Sequence, residues 1–570
     1  MKFLFNKIYI ILILVILIQS KVFARDNKDL YSKENISNYF IGLVSVKNHE
    51  DKEAYKYLKK IKSLKNTHFS YDKEFLRTLV ILEKFDNAVA FSDEIWNEKK
   101  LIFEADLLLG LNSFVNKDYK TAEKYFERLS KIPRYDFYFG NFIGNVLIAW
   151  SRASQGKEEE SFYFLNKVSE PYHQLRKTQK AFLKCYFNSE DTQSFLKKIV
   201  EDENYNFSRY NFFLANYLLF KDNVKEANKV IKNARKENTS NLLIEQTEVL
   251  LRKDNKKKIK NFYNCKNSKD NIAEFFYIIA NVYSTEENYR LSNFYLKISD
   301  FLNDKFITNK ALLAENYYFQ GKNKLSKKIY NELKLAGETY SWHASKSIAT
   351  ILLEEKDKKY SIKNLEKDFN LIPEPNFEHY YEMANFYKDN KYYNEAIKFY
   401  TLALEKINLD HFLVPNILYR RGTSYERLDD WKNAEDDLVE SLKIKPEQAY
   451  VMNYLAYSWI DKGINFDKGL EMLIEANKIK EGDGYIIDSL GWAYFAKKDY
   501  VQAEKYLQKA VELLPADPVI SDHYADSLWM LNKTIEARNI WSSILMLDKA
   551  EKKLVDIINH KLIFGIENKI

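Results

Sequence analysis

Acid and imidazole side chains gather at one place in this 570-residue chain, where Asp522, His523 and Asp526 stand close together. On a helix Asp522 and Asp526 share a face and His523 lies about 100° round from Asp522. That spacing suits a polar surface better than proton transfer among the three. The other histidines, His49, His68, His173, His343, His379, His411 and His560, are dispersed. No HExxH pattern, no Cys/His spacing of a zinc site and no glycine-rich phosphate loop occurs. Neither a catalytic residue nor a metal or cofactor site is therefore expected, and the chain reads as a non-enzyme. Cys185 and Cys265 are its two cysteines. The repeat register described below puts them two units apart, beyond the roughly 7 Å that bridged Cα atoms allow, so two buried thiols are expected. The run Lys253 to Lys260, KDNKKKIK, could attract phosphate or anionic lipid, but it fits an exposed turn between two helices.

Side chains this scattered need a framework, and composition says which. Only 14 Gly and 8 Pro occur, too few for an architecture rich in β-turns. Hydrophobic residues make up 46% and aromatics 15%, with 42 Tyr and 38 Phe, so there is ample material for a core and no case for disorder. Basic residues number 88 against 81 acidic, interleaved almost everywhere. A nucleic-acid binder would concentrate its positive charge on one face.

The framework is periodic. Gly484 to Asp517 carries Leu490, Gly491, Tyr494, Ala503, Leu507, Ala510 and Pro515. Units opening at Pro415, Ala449 and Pro518 repeat much of that set, and earlier ones open near Asn35, Phe69, Phe103, Ser208, Ala273, Ile307, Trp342 and Phe377. The pattern weakens between 142 and 272, where units near 175 and 240 complete the count. A small residue at the eighth and twentieth positions lets two antiparallel helices cross closely, and large residues at the eleventh and twenty-fourth fill the space beside them. This arrangement resembles the tetratricopeptide repeat. It implies an all-α, right-handed superhelical solenoid of about fifteen helix-turn-helix units, with an accessible inner wall. The expected divisions are a signal peptide at 1–24, a linker at 25–34, degenerate repeats at 35–272, middle repeats at 273–414, well-matched repeats at 415–548 and a capping helix at 549–570.

In the family resembled, the first helix of each unit lines the concave face. Carried onto this chain, that implies a protein-binding surface of Tyr450, Asn453 and Tyr457, then Tyr485, Asp488 and Trp492, then Asp522, Asp526 and Trp529. Packing between neighbouring helices competes for the same side chains, Trp492 above all. An acidic, aromatic groove would repel a C-terminal carboxylate and prefer neutral or basic segments.

The start of the chain carries Lys2 and Lys7, an apolar run from Ile8 to Ile18, and Val22-Phe23-Ala24 before Arg25, the three-part pattern of an export signal. Eleven apolar residues fall short of the roughly 20 that span a bilayer, so a cleaved leader and a periplasmic protein are expected. No Cys follows the run for lipid attachment. Ala449 to Trp541, with its phrase GDGYIIDSLGWAYF, is similar to the C-terminal part of large bacterial envelope tetratricopeptide proteins. Some of these are adaptors delivering cell-wall hydrolases to a carboxy-terminal processing protease. The resemblance implies a scaffold or adaptor whose partners are proteins, with peripheral membrane association as a further possibility. The alternative class is an RNA-binding helical repeat of pentatricopeptide type, which needs a basic groove. The Asp and aromatic positions of the strongest units do not supply one.

Overall fold

The computed structural model describes residues 31–131, 140–168, 170–202, 208–237, 241–355, 357–547 and 550–566. The expected leader and most of the linker lie outside the described residues. Among those residues the regular elements are helical, apart from an isolated bridge between Asn97 and Lys100. Thirty-one α-helices form fifteen consecutive pairs and a terminal helix, Lys552–Phe564. His173 and Leu242 open the two pairs that the sequence placed near 175 and 240.

Residue type explains the pairing. Ala54, Ala122, Ala434 and Ala503, all at the twentieth position, are completely buried. A Cβ placed on Gly491 would lie 2.6 Å from Leu507 Cγ, and one on Gly110 would lie 2.3 Å from Phe126 Cε1. The eighth and twenty-fourth positions therefore touch across the crossing. Gly491→Val should overpack it and cost about 1 to 3 kcal/mol, measurable as a lowered denaturant midpoint with an unchanged slope. The turns within pairs use non-glycine residues in the left-handed region, such as Glu83, Lys117, Lys498 and Asn532, just past the first helix, where the chain must reverse. Asp483 and Asp517, one repeat apart, cap the helices that follow by accepting from the backbone N–H groups of Tyr485 and Ile486 and of Val519 and Ile520.

The chain divides into two compact units, Met1–Leu371 and Ile372–Ile570.

The N-terminal unit departs from the expected open stack, because its later pairs fold back onto its earlier ones. Helix Ser268–Thr285 is buried on nearly all sides, including Ile272, Glu274, Phe275, Phe276 and Ile279. It packs on helices Gly140–Ser154 and His173–Phe187, where Phe275 meets Phe142 edge-on at 5.1 Å. Glu274 accepts two bonds from the Arg209 guanidinium at 2.8 and 2.7 Å. Farther on, Arg290 reaches back to Glu74 at 3.3 Å and Thr78 at 3.0 Å and pairs with Asp51. Phe301 stacks on Phe85 at 4.5 Å. The inner face expected to be accessible is, in this unit, filled by the chain's own helix. The first helices said so in advance: Phe103–Val115 and Tyr210–Phe220 are apolar around most of their circumference, as a helix enclosed on every side must be.

The same fold-back overturns the expectation of two thiols. Helix Lys256–Phe262 ends at Tyr263 in extended conformation, which redirects the chain toward helix His173–Phe187. Cys185 and Cys265 have Cα atoms 5.9 Å apart and form a disulfide. Neighbouring bonds hold the strand of chain in place. The Lys266 ammonium donates to the carbonyls of Cys185 and Tyr186 at 2.6 and 2.7 Å, and the Asn216 amide donates to those of Ile259 and Tyr263. A linear register could not place these cysteines together, because it had no term for pairs that leave the stack.

Candidate functional site

In the C-terminal unit the first helices of successive pairs lie side by side, with Phe377–Asp389 beside Val414–Glu426, Ala449–Asp461 beside Gly484–Ala496, and the latter beside Pro518–Met530. Polar side chains bridge from each to the next. The Tyr381 hydroxyl donates to Asn416 Oδ1 at 2.6 Å, and Arg420 donates to Asn385 Oδ1 at 3.2 Å. Tyr419 and Tyr454 meet edge to face, and the Tyr454 hydroxyl donates to Glu426 at 2.7 Å.

The nine residues proposed from the sequence divide into two groups on this wall. Tyr450 and Tyr485 are 49% and 57% exposed. The Tyr450 hydroxyl donates to Asp483 at 3.0 Å, with the Lys480 ammonium 5.0 Å above its ring. Asn453 and Tyr457 are partly exposed, and Asn453 Oδ1 is a buried acceptor without a hydrogen bond. These four form a surface of phenols and an amide.

The carboxylates are placed otherwise. Asp488, Asp522 and Asp526 are only 6–7% exposed, and each is met by a base one repeat further on. His523 Nδ1 lies 3.0 and 3.1 Å from the two Asp488 oxygens. The Lys561 ammonium, from the terminal helix, donates to both oxygens of Asp522 at 2.8 and 2.9 Å and of Asp526 at 2.7 Å. Trp541 Nε1 donates to Asp522 as well. Trp492 is sandwiched between Phe495 at 4.8 Å and the His523 ring at 4.2 Å. Trp529 packs against Trp541 and lies under Arg538. The acidic groove read from the sequence is thus corrected: its acids are internal ties between helices, and the expected repulsion of carboxylates loses its source. The cluster Asp522, His523 and Asp526 belongs to the same ties.

Its protons follow from burial. Desolvation, then repulsion from Asp522, raises Asp526 from the usual carboxylate range to about 7, against the pull of Lys561. For His523, burial opposes the charged form, but Asp488 beside it prevails and holds the imidazolium above its ordinary value. Both groups bind their proton more tightly folded than unfolded, so each contributes stability that declines as pH rises. Asp526's share is present below about 4 and gone above about 7. Hydrogen exchange of Lys552–Phe564, corrected for intrinsic rates, should therefore show falling protection between pH 5 and pH 8.

The lysine run lies on the N-terminal unit, across the turn after Leu242–Arg252 and into Lys256–Phe262. Lys253 pairs with Glu338, Lys258 donates to the Ala336 carbonyl at 2.8 Å, and Lys260 lies 3.5 Å from Asp222. Its cations serve contacts between helices.

Residues 378–405 and 485–517 each match the family described as tetratricopeptide repeat. These stretches are tetratricopeptide repeats. A TPR repeat-containing protein of Pseudomonas aeruginosa is 30% identical over 111 residues, which cover 20% of this chain and 19% of that protein. The chain thus spans about a fifth of the length of the curated relative it matches. Similar solved structures include a tetratricopeptide protein of Thermus thermophilus, 16% identical over 33% of this chain and 99% of that one, with a TM-score of 0.29. Another is a tetratricopeptide repeat protein from Parabacteroides merdae, 16% identical over 39% of this chain and 85% of that one, with a TM-score of 0.32. Tetratricopeptide repeats indicate protein partners.

Proposed function

We propose that this protein is an exported scaffold that holds partner proteins against the first-helix wall of its C-terminal unit. The observation that carries the reading is the contrast between the two units. The inner face of the N-terminal unit is filled by helix Ser268–Thr285, whereas Tyr450 and Tyr485 stand exposed on the wall of the other. Tyrosines offer large contact area at low entropic cost. A neutral segment suits that chemistry. Export is supported by the pattern of residues 1–24 and by the Cys185–Cys265 disulfide, a bond that persists in oxidising compartments. The finer role of an envelope adaptor for a processing protease rests on the resemblance of Ala449 to Trp541.

Two measurements test this. Residues 1–40 fused to a reporter active only after export should give activity; silence refutes the periplasmic assignment. Photo-crosslinking in cells from position 457 should capture discrete proteins that are no longer captured once Tyr450→Ala and Tyr485→Ala are added. An unchanged partner list would place binding on another surface.

A further inference from the structure

The first helix, Lys33–Lys47, turns an apolar stripe to solvent. Ile36, Phe40 and Val44, spaced four apart, are 42%, 61% and 55% exposed, and Tyr31 and Ile41 flank them. In a stack of repeats a preceding pair covers this kind of face, and terminal repeats carry polar residues instead. No described element covers it here. Lys33 and Lys47 stand at the two ends of the stripe, and Lys59, Lys60 and Lys62 are exposed on the segment Lys59–Leu64. That segment is tied to the start of the helix by the Asn35 amide, which donates to Ser63 at 3.5 Å.

We propose that this face docks the protein on an anionic lipid surface. A row of exposed apolar side chains with lysines at its margins is the chemistry of an interfacial helix, which sinks its apolar residues among the acyl chains and leaves its cations at the phosphates. A second copy fits less well. Two such helices packed antiparallel would set Lys33 of one against Lys47 of the other, a like-charge contact at each end. The proposal is independent of what the C-terminal wall binds and requires no partner protein.

The test is covalent footprinting of the full chain at Phe40 and Val44, with and without vesicles. Because the apolar run Ile8 to Ile18 can bind lipid by itself, the readout is labelling of the helix, not bulk binding. Vesicles of phosphatidylglycerol and phosphatidylethanolamine should reduce labelling of Phe40 several-fold, leave Tyr450 unchanged, and lose this effect in high salt. Phosphatidylcholine vesicles should protect far less. Phe40→Ser with Val44→Ser changes only exposed positions and should abolish the protection of Ile36. Unchanged labelling of Phe40 with anionic vesicles overturns the proposal. So does protection that grows with protein concentration in the absence of lipid, which would assign the face to a second copy.

Discussion

Replacing Cys185 and Cys265 together by serine is expected to destabilise the N-terminal unit by about 4 kcal/mol, the chain-entropy value for opening a loop of this size. The bond joins residues 80 apart and clips the stretch Tyr263 to Cys265 to helix His173–Phe187, beside the contacts made there by Lys266. Thermal unfolding with and without reductant measures the effect. Wild type in reductant should coincide with the double variant, and the variant should not respond to reductant. Equal melting of oxidised wild type and variant would show that Lys266 and Asn216 suffice to hold the crossing.

The second large effect is expected at the other end of the chain. Lys561→Met removes the cation shared by Asp522 and Asp526 and leaves two buried carboxylates facing one another. Breaking a buried charge pair from one side costs about 3 to 5 kcal/mol, on the scale of what burial of Ile558 and Leu562 against the last pair contributes. The terminal helix should detach, with fast hydrogen exchange across Lys552–Phe564. The penalty has a pH signature. At pH 5 Asp526, raised to about 7, holds a proton that relieves the repulsion, so the variant should recover much of its loss there. Asp522→Asn combined with Lys561→Met should restore the helix at neutral pH, and failure to do so would move the cause from charge to packing.

Much of the fold was legible because its rule is local. Gly491 against Leu507 and Ala503 at full burial follow from spacing within one unit, and the same rule read backward reached the degenerate unit near Ser208, whereas the one near 175 was placed only to complete the count. The closure of the N-terminal unit was not legible, because it depends on which surfaces meet across hundreds of residues. Arg290 with Asp51 and Cys185 with Cys265 have no trace in a repeat register. The circumferential apolarity of Phe103–Val115 was the available sign that its inner face is covered. At the candidate wall, position within the repeat selected Tyr450 and Tyr485, which the fold leaves exposed. It failed for Asp488 and Asp526 because each acid has its base one unit ahead, at a separation of 35 residues. Reading acids and bases across adjacent units, and not within one, would have paired them.

Helix Ser268–Thr285, threaded through the middle of the N-terminal unit, changes how that unit can evolve. Ordinary helical arrays gain or lose a module at modest cost, since each module senses only its neighbours. Here an inserted or deleted unit anywhere between Phe69 and Val200 would shift every surface that grips the threaded helix, together with the partners of Arg290 and Arg209. Module number in this half of the molecule is therefore fixed by closure, as the stave count of a barrel is, while the C-terminal half retains the freedom to lengthen.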